Sequence, residues 1–573
     1  MPHGREPWGP GETSWCSWLS DFDNPHPLEI TDLYTYTSSL VSHLADDALG
    51  EGEYPRVTFE LYFGRIPQNA VAGIRVPYLV VHGIHELAAR LNALQDPRPQ
   101  LVERLRLNPI LGRASADYWE GLSEGVRKLK RAGGGAVFEL DGVRPGEVHF
   151  PGLHPVLRLT APYHLAARLE PLVISTLLPY TYGATYAANI QDVLEGWNHM
   201  HADQQARVGL EFGLRRGLGA HAATAVSMGA YVGGIYGTSN TQTGLFADTS
   251  LLGTVAHNLM QLFMPRVDGA LEYRDAAFAR WDARTRARLD EVEPGQDRTY
   301  RERLDWESLA FIGIAQAMGE RAVFLLDTVD TIAAARKLVW LYQKGLIGHF
   351  LGVRLDSGDL SELANRCWYL FDAAEMDWVK IFASNDISLA TLPRLLGSRI
   401  DTVAIGTNFE RSELSAVFKE VEVTRQGRDG TLSEVPVYKI DQDDASKSYY
   451  PGRHDRQRLT GRGANGTELF VGDLMTLPQE IHHDVRSVWL GPVPSHHRAE
   501  DLLVPYLTAQ GPAEWLARGA VHDLHRNARC YAAERRALIP WSNMGYPVVV
   551  SRGVQGLLAE RETSLLARSF VPR

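Results

Sequence analysis

Between residues 322 and 407 the chain repeats one pattern, a short apolar run that ends in polar residues and is followed by a helix-like stretch. FLLDTVDT leads into IAAARKLVWLYQKG, HFLGVRLDSGDL into SELANRCWYLFDAAEM, and KIFASNDIS into LATLPRLLG; a fourth run, TVAIGTNF, ends at Gly406 and Thr407. Spacings of roughly twenty to thirty residues are those of βα units in a parallel sheet or barrel. Such folds gather their sites at strand C-termini. The tips Asp327, Asp330, Arg354, Asp356, Asp359, Asn385, Asp386 and Thr407 are therefore expected at one mouth. Asp, Ser and Asn ahead of a helix also serve as N-caps, and both roles stay open for any single tip. Asp356-Ser-Gly-Asp359 holds more polar groups than one cap needs.

A chain of 573 residues can bury a large core and form two or three domains. Its formal charge of −11 argues against general binding to nucleic acid or anionic membranes, while leaving room for a local basic pocket. Three widely separated cysteines, Cys16, Cys367 and Cys530, give no paired framework and point to a reducing compartment. The opening residues lack the apolar core of a signal peptide, so a cytoplasmic location is expected. PLVISTLLPYTYGATYAANI is uncharged over a membrane-spanning length. Its two prolines and its Thr, Tyr and Ser content favour a buried helix lining a polar cavity.

Further features precede the βα series. EFGLRRG sets Arg215 and Arg216 beside glycines, which suits either bidentate phosphate binding or a solvated pair. GTVAHN places His257 in an apolar run, as a packed core residue or as a catalyst. Residues 279–306 are dense in mixed charge, as in a solvated helix or lid. Beyond Gly406 short strands return, then a basic turn, SKSYYPGRHDRQR, and an Arg-rich helical end.

Taken in order, TDLY (31–34), FELYF (59–63), FPG (150–152), FGLRR (212–216), GTSN (237–240), GTVAH (253–257), GVRLDSGDL (352–360), FASNDI (382–387), AIGT (404–407), YPGRHDRQR (450–458), LLVPYL (502–507) and YPVVVS (546–551) resemble the nicotinate phosphoribosyltransferases. The resemblance implies an α/β protein of the type II phosphoribosyltransferases: an irregular α/β barrel over 151–420, with a second α+β domain built from 28–150 and 421–573. Residues 1–27 form an extension. It also implies a homodimer with shared active sites. The implied reaction joins nicotinate to phosphoribosyl pyrophosphate, with Mg²⁺ and with ATP hydrolysed through a phosphohistidine.

Carried over by position, His257 is the phosphorylated residue and Asp356 stabilises the ribose as positive charge builds on it. Tyr34, Phe212, Ser239, Thr254 and Arg354 would form the nicotinate pocket, with Tyr34 reaching in from the partner subunit. Arg215, Ser384, Gly406 and Thr407 would bind phosphoribosyl pyrophosphate, a helix dipole after Gly406 adding to phosphate binding. Mg²⁺ would fall to Asp327 and Asp359, with Asp330 a further candidate. His454 stands where the family's basic turn has lysine, implying a weaker, pH-dependent phosphate contact there. Ser239, where nicotinamide-using relatives carry an acid, favours nicotinate. The competing readings are a phosphoribosyltransferase for nicotinamide or another pyridine base, a non-catalytic nucleotide-binding relative, and an unrelated α/β-barrel isomerase.

Overall fold

The structure, a computed structural model, describes residues 28, 31–49, 55–65, 77–133, 137–152, 154–264, 285, 287–288, 304–426, 429, 431–439, 448–462, 466–478, 480, 498–517, 521–539 and 548–568. The leader to residue 27 and nearly all of the charged stretch 279–306 lie outside the described residues.

Seven strands pair in parallel, in the spatial order Ser250–Leu251, Gly237–Thr238, Val208–Glu211, Thr402–Ile405, Lys380–Ser384, Gly352–Leu355, Val323–Leu325. Side-chain alternation explains how each strand serves both core and mouth. Val353 and Leu355 are fully buried, while Arg354 between them points elsewhere and is only half-buried. Helices Thr331–Gln343 and Leu360–Asp372 pack Leu338, Leu341, Ala364, Cys367 and Phe371 into the same core.

The backbone ladder is open, since the two edge strands are not hydrogen-bonded to each other. Side chains span the gap instead. Thr254 and His257 follow the first edge strand; they meet Arg354, and Asp327 just past the last edge strand. The sheet is thus curled into an irregular barrel, α/β in class as expected, with a polar seam.

Behind it lies the long apolar stretch, which is the 31-residue helix Glu170–Met200. No helix among the described residues is long and apolar enough to cross a membrane. Two of its hydroxyls are spent on backbone: Thr185 accepts from Val80 N, and Thr181 exchanges hydrogen bonds with the His82 backbone. It packs backbone to backbone on helix Ala220–Val232. A Cβ at Gly183 would lie 2.1 Å from the Val226 carbonyl oxygen, one at Gly229 2.1 Å from that of Tyr180, and one at Gly233 2.2 Å from that of Ala184.

A second, antiparallel sheet draws on both ends of the chain. Its order is Leu432–Pro436, Ser415–Gln426, Arg56–Arg65, Leu157–Pro162, Glu139–Val143, Leu503–Thr508, Gly511–Pro512. Leu157–Pro162 therefore belongs to this sheet although it lies past 150, and Ser415–Gln426 runs across 420. A four-stranded sheet of Arg498–Asp501, Asp455–Arg462, Glu468–Thr476 and Val548–Val550 completes the C-terminal part.

The basic turn departs from expectation. His454 is fully buried, with Nδ1 2.8 Å from Glu60 Oε2 and its backbone N–H donated to Glu60 Oε1, so it faces no phosphate. Arg456 and Arg458 are also fully buried: both donate to Asp473, and Arg458 also donates to Glu147. Burying a guanidinium demands such pairing. This turn is a structural ion network.

The glycine contacts set a stability test. Gly229→Ala should lose about 1–3 kcal/mol, because the two helices must part. Gly196→Ala, in the same helix pair with open space around its Cβ position, should gain about 0.5–1 kcal/mol. Thermal unfolding followed by circular dichroism separates the two; equal shifts would show that the close approach does not govern stability.

Candidate functional site

At the C-terminal ends of the parallel strands lies a small polar cleft. It is lined by Phe212, Arg215 and Arg216 after one strand, Arg354 and Asp356 at a second, Ser384, Asn385 and Asp386 at a third, and Ala404, Gly406 and Thr407 at a fourth. Four strand ends thus converge, as the βα pattern requires.

Arg354 is the fixed point. Its Nε donates to Ser384 Oγ at 2.8 Å, Nη1 to Thr254 Oγ1 at 2.9 Å and Nη2 to Asp356 Oδ1 at 2.8 Å. An arginine has five N–H donors, so among the described residues this brace leaves one on each terminal nitrogen for a further anion. Ser384 Oγ also donates to Asp356 Oδ1, and Asp356 Oδ2 receives no hydrogen bond among the described residues. Burial alone would raise the Asp356 pKa, but the hydrogen bonds from Ser384 and Arg354 and the charges of Arg354 and His257 hold it below the usual carboxylate range. The acid stays ionised beside the cleft.

Arg215 and Arg216 project from the 3₁₀ turn Leu214–Arg216 and are exposed, and neither guanidinium has an ion-pair partner among the described residues. Their charge faces the cleft uncompensated. Asn385 and Asp386 adopt left-handed backbone conformations, with φ of 85° and 49°. Strain of this kind collects at binding sites. Asn408 Nδ2 donates to the Ile387 carbonyl at 2.8 Å and ties this loop to the turn after Gly406. That turn is a single 3₁₀ segment, Thr407–Phe409, and not the helix expected there, so a helix dipole adds little to phosphate binding.

The acidic tips divide into two kinds. Asp330 accepts from Ala333 N and caps helix Thr331–Gln343. Asp359 caps Leu360–Asp372 through Oδ1 and takes Arg394 on Oδ2. With both oxygens engaged outside the cleft lining, Asp359 is poorly placed for the metal role expected of it. Asp327, by contrast, is buried with Oδ1 3.2 Å from His257 Nε2, and His257 is half-exposed. It is the acceptor that orients the imidazole, a partner the sequence does not reveal.

Three expected pocket residues lie off the cleft lining: Thr254 joins it only through Arg354, and Tyr34 and Ser239 stand apart. Tyr34 is exposed on helix Leu33–Leu49, donates to Glu170 Oε2 at 2.6 Å, and does not line the cleft of its own chain. Ser239 is half-buried past strand Gly237–Thr238, its N–H donated to the Glu211 carbonyl, and it also lies off the lining.

Beneath the Phe212–Arg216 turn sits an acid pair that sequence reasoning missed. Glu211 is fully buried and accepts from Ser227 Oγ at 2.6 Å, Thr238 Oγ1 at 2.5 Å and Gly213 N. A Cβ at Gly213 would stand 2.8 Å from one oxygen of Glu211 and one of Glu410, so both carboxyls converge there. Burial raises the Glu211 pKa despite its three donors. Burial, and then repulsion from Glu211, push Glu410 from 4.5 up to about 7. The one signal in the sequence is a charged residue closing the otherwise apolar run VGLE.

Comparison with known proteins follows the same line. No family profile matches the chain. It is 31% identical over 359 residues to the nicotinate phosphoribosyltransferase of Dictyostelium discoideum, spanning 58% of this chain and 56% of that protein. It is 28% identical over 350 residues to the nicotinate phosphoribosyltransferase of Bacillus subtilis, spanning 60% and 59%. The chain thus spans less than two thirds of either of these relatives. The crystal structure of human nicotinic acid phosphoribosyltransferase superposes with a TM-score of 0.65 at 22% identity, over 93% of this chain and 99% of that one. The chain therefore has the α/β fold of that structure. By sequence it is similar to the nicotinate phosphoribosyltransferases.

Glu410 gives the site a pH signature. Its folded pKa lies above its unfolded value, so the folded state holds the extra proton, and its stabilising contribution is lost as pH rises from 4.5 through about 7. Glu410→Gln should flatten the dependence of melting temperature on pH between about 5 and 8. An unchanged slope would remove the acid pair from the account.

Proposed function

We propose that this chain is a nicotinate phosphoribosyltransferase, forming nicotinate mononucleotide and pyrophosphate from nicotinate and phosphoribosyl pyrophosphate. The observation that carries the reading is the braced Arg354, with two N–H groups to spare, in one cleft with Arg215, Arg216 and the Gly406–Thr407 turn. A carboxylate receptor and a set of anion ligands within a single opening suit an acid base and a sugar phosphorylated at both ends. Nicotinamide, being neutral, would leave the Arg354 fork unmatched. The absence of an acid at Ser239 supports the same preference.

In this reading Arg354 and Thr254 hold the pyridine carboxylate, with Phe212 against the ring. The ring nitrogen attacks C1 of the ribose as the bond from C1 to the pyrophosphate oxygen breaks, and pyrophosphate leaves with the electron pair. Positive charge builds on the sugar, and ionised Asp356 is the carboxylate that opposes it. Arg215 and Arg216 neutralise the departing pyrophosphate. Ser384 holds both Arg354 and Asp356 in place, and Gly406 and Thr407 take the 5-phosphate. A Cβ at Gly406 would come within 3.1 Å of the Phe212 carbonyl oxygen, so the turn is tight.

Mg²⁺, when bound, would neutralise phosphate charge. Asp356, with an unbonded oxygen, and Asp386 on the cleft wall suit it better than Asp359. Coupling to ATP through His257 is supported by the Asp327 pair: with Nε2–H given to the carboxylate, the nucleophilic lone pair lies on Nδ1. A homodimer, with Tyr34 completing the cleft of a partner subunit, accords with the exposure of Leu33, Tyr34 and Val41 on one helix. We place the protein in the cytoplasm.

Purified protein with nicotinate, phosphoribosyl pyrophosphate and Mg²⁺ should form the mononucleotide, faster when ATP is added. Arg354→Ala should lose at least about 100-fold in kcat/KM for nicotinate, roughly the cost of a charged hydrogen-bonded pair. His257→Ala should keep basal synthesis and lose the ATP stimulation. Turnover of nicotinamide in preference to nicotinate would reject the base assignment, and equal ATP stimulation in the His257 variant would reject the phosphohistidine.

A further inference from the structure

Away from the cleft, three histidines from distant parts of the chain meet. Strand Leu79–Val81 ends at His82; Gly83, with φ 103°, makes the sharp turn into helix Ile84–Asn92; and His85 sits in that helix's first turn. Helix Val521–Ala537 brings in His525 from the C-terminal segment. The ring centroids stand 4.7 Å apart for His82 and His85, and 5.1 Å apart from His525 to each. One nitrogen from each ring lies within 4.8 Å of the other two, and His82 Nε2 is 3.1 Å from His525 Nδ1. His82 and His525 are buried and His85 half-buried.

We propose that His82, His85 and His525 form a binding site for a zinc-class divalent cation that staples the N-terminal and C-terminal segments together. Packing alone is a poor account of the cluster. The Nδ1 atom of His85 is buried and has no hydrogen-bond partner among the described residues, a cost that native structures rarely leave uncompensated. Imidazoles whose ring nitrogens converge in this way bind metal once the proton shared between them is released.

Tetrahedral zinc with nitrogens at about 2.0–2.1 Å sets neighbouring ligand atoms roughly 3.3 Å apart, close to the His82–His525 separation. Three nitrogens and no oxygen donor favour zinc, cobalt, nickel or copper over magnesium. The fourth position is left to water or another small ligand. The clip joins residues 443 apart in sequence, so an ion there opposes separation of the two segments. Its helix reaches toward the cleft as well. Arg529, one turn beyond His525, donates to the carbonyls of Tyr231, Gly234 and Ile235, just ahead of the strand whose Thr238 holds Glu211.

The test uses the full-length protein stripped with a chelator and titrated with ZnCl₂ against a chromogenic competitor, with MgCl₂ run alongside. Wild type should take up one tight equivalent of zinc per chain, gain melting temperature with it, and ignore magnesium. His85→Asn, at the half-buried position, should remain folded by circular dichroism and bind zinc at least about 100-fold more weakly, since loss of a ligand exceeds the 10–100-fold typical of outer-shell changes. His82→Ala should behave alike; if it does not fold, the His85 variant decides. X-ray absorption on the loaded protein should show a first shell of imidazole nitrogens. Equal zinc uptake by wild type and His85→Asn, or a first shell of oxygens, would overturn the proposal.

Discussion

A half-buried guanidinium cannot be left without partners, and the way Arg354 is satisfied organises the mouth of the parallel sheet. Thr254, Ser384 and Asp356 reach it from three separate strand ends. One of them, Thr254, follows the edge strand Ser250–Leu251, whereas Arg354 lies next to the opposite edge. That hydrogen bond and the His257–Asp327 pair therefore close by side chains a barrel that the backbone leaves open. Removing the Arg354 charge would free an ionised Asp356 as well as a base-binding group, so the same contacts carry architecture and recognition. In the partly desolvated cleft each is stronger than it would be in water.

The rest of the molecule separates structural charge from functional charge. Arg456, Arg458 and Asp473 are fully buried and bonded to one another, to His149 and to Glu147, out of reach of a ligand. Arg215 and Arg216, equally basic in the sequence, stand exposed at the cleft without counter-ions among the described residues. The tip acids divide in the same way: Asp330 and Asp359 are consumed by helix N-termini, while Asp327 and Asp356 serve His257 and Arg354. Placement decides which charges remain available.

The βα series was legible because each of its strands is an apolar run with a polar end, and that pattern follows directly from a sheet buried on both faces. The ordered motifs carried the likeness to the nicotinate phosphoribosyltransferases. What stayed hidden depends on contacts between residues far apart in sequence. Asp327 lies 70 residues from His257, Glu410 finds Glu211 only through the Gly213 turn, and His454 reads as a surface residue until Glu60 is set against it. Capping and catalytic acids look alike in sequence because both sit between a strand and a helix. Thr181 and Thr185 look like cavity linings, yet their hydroxyls serve a neighbouring strand.

The central claim is that one cleft receives a pyridine carboxylate on Arg354 and a sugar phosphate on the Gly406–Thr407 turn. A crystal structure with nicotinate mononucleotide tests it most directly. The account predicts the carboxylate against the two unspent N–H groups of Arg354, the ribose beside Asp356, and the phosphate at Gly406 and Thr407. A nucleotide bound in the reverse sense, or seated away from Arg354, would contradict it.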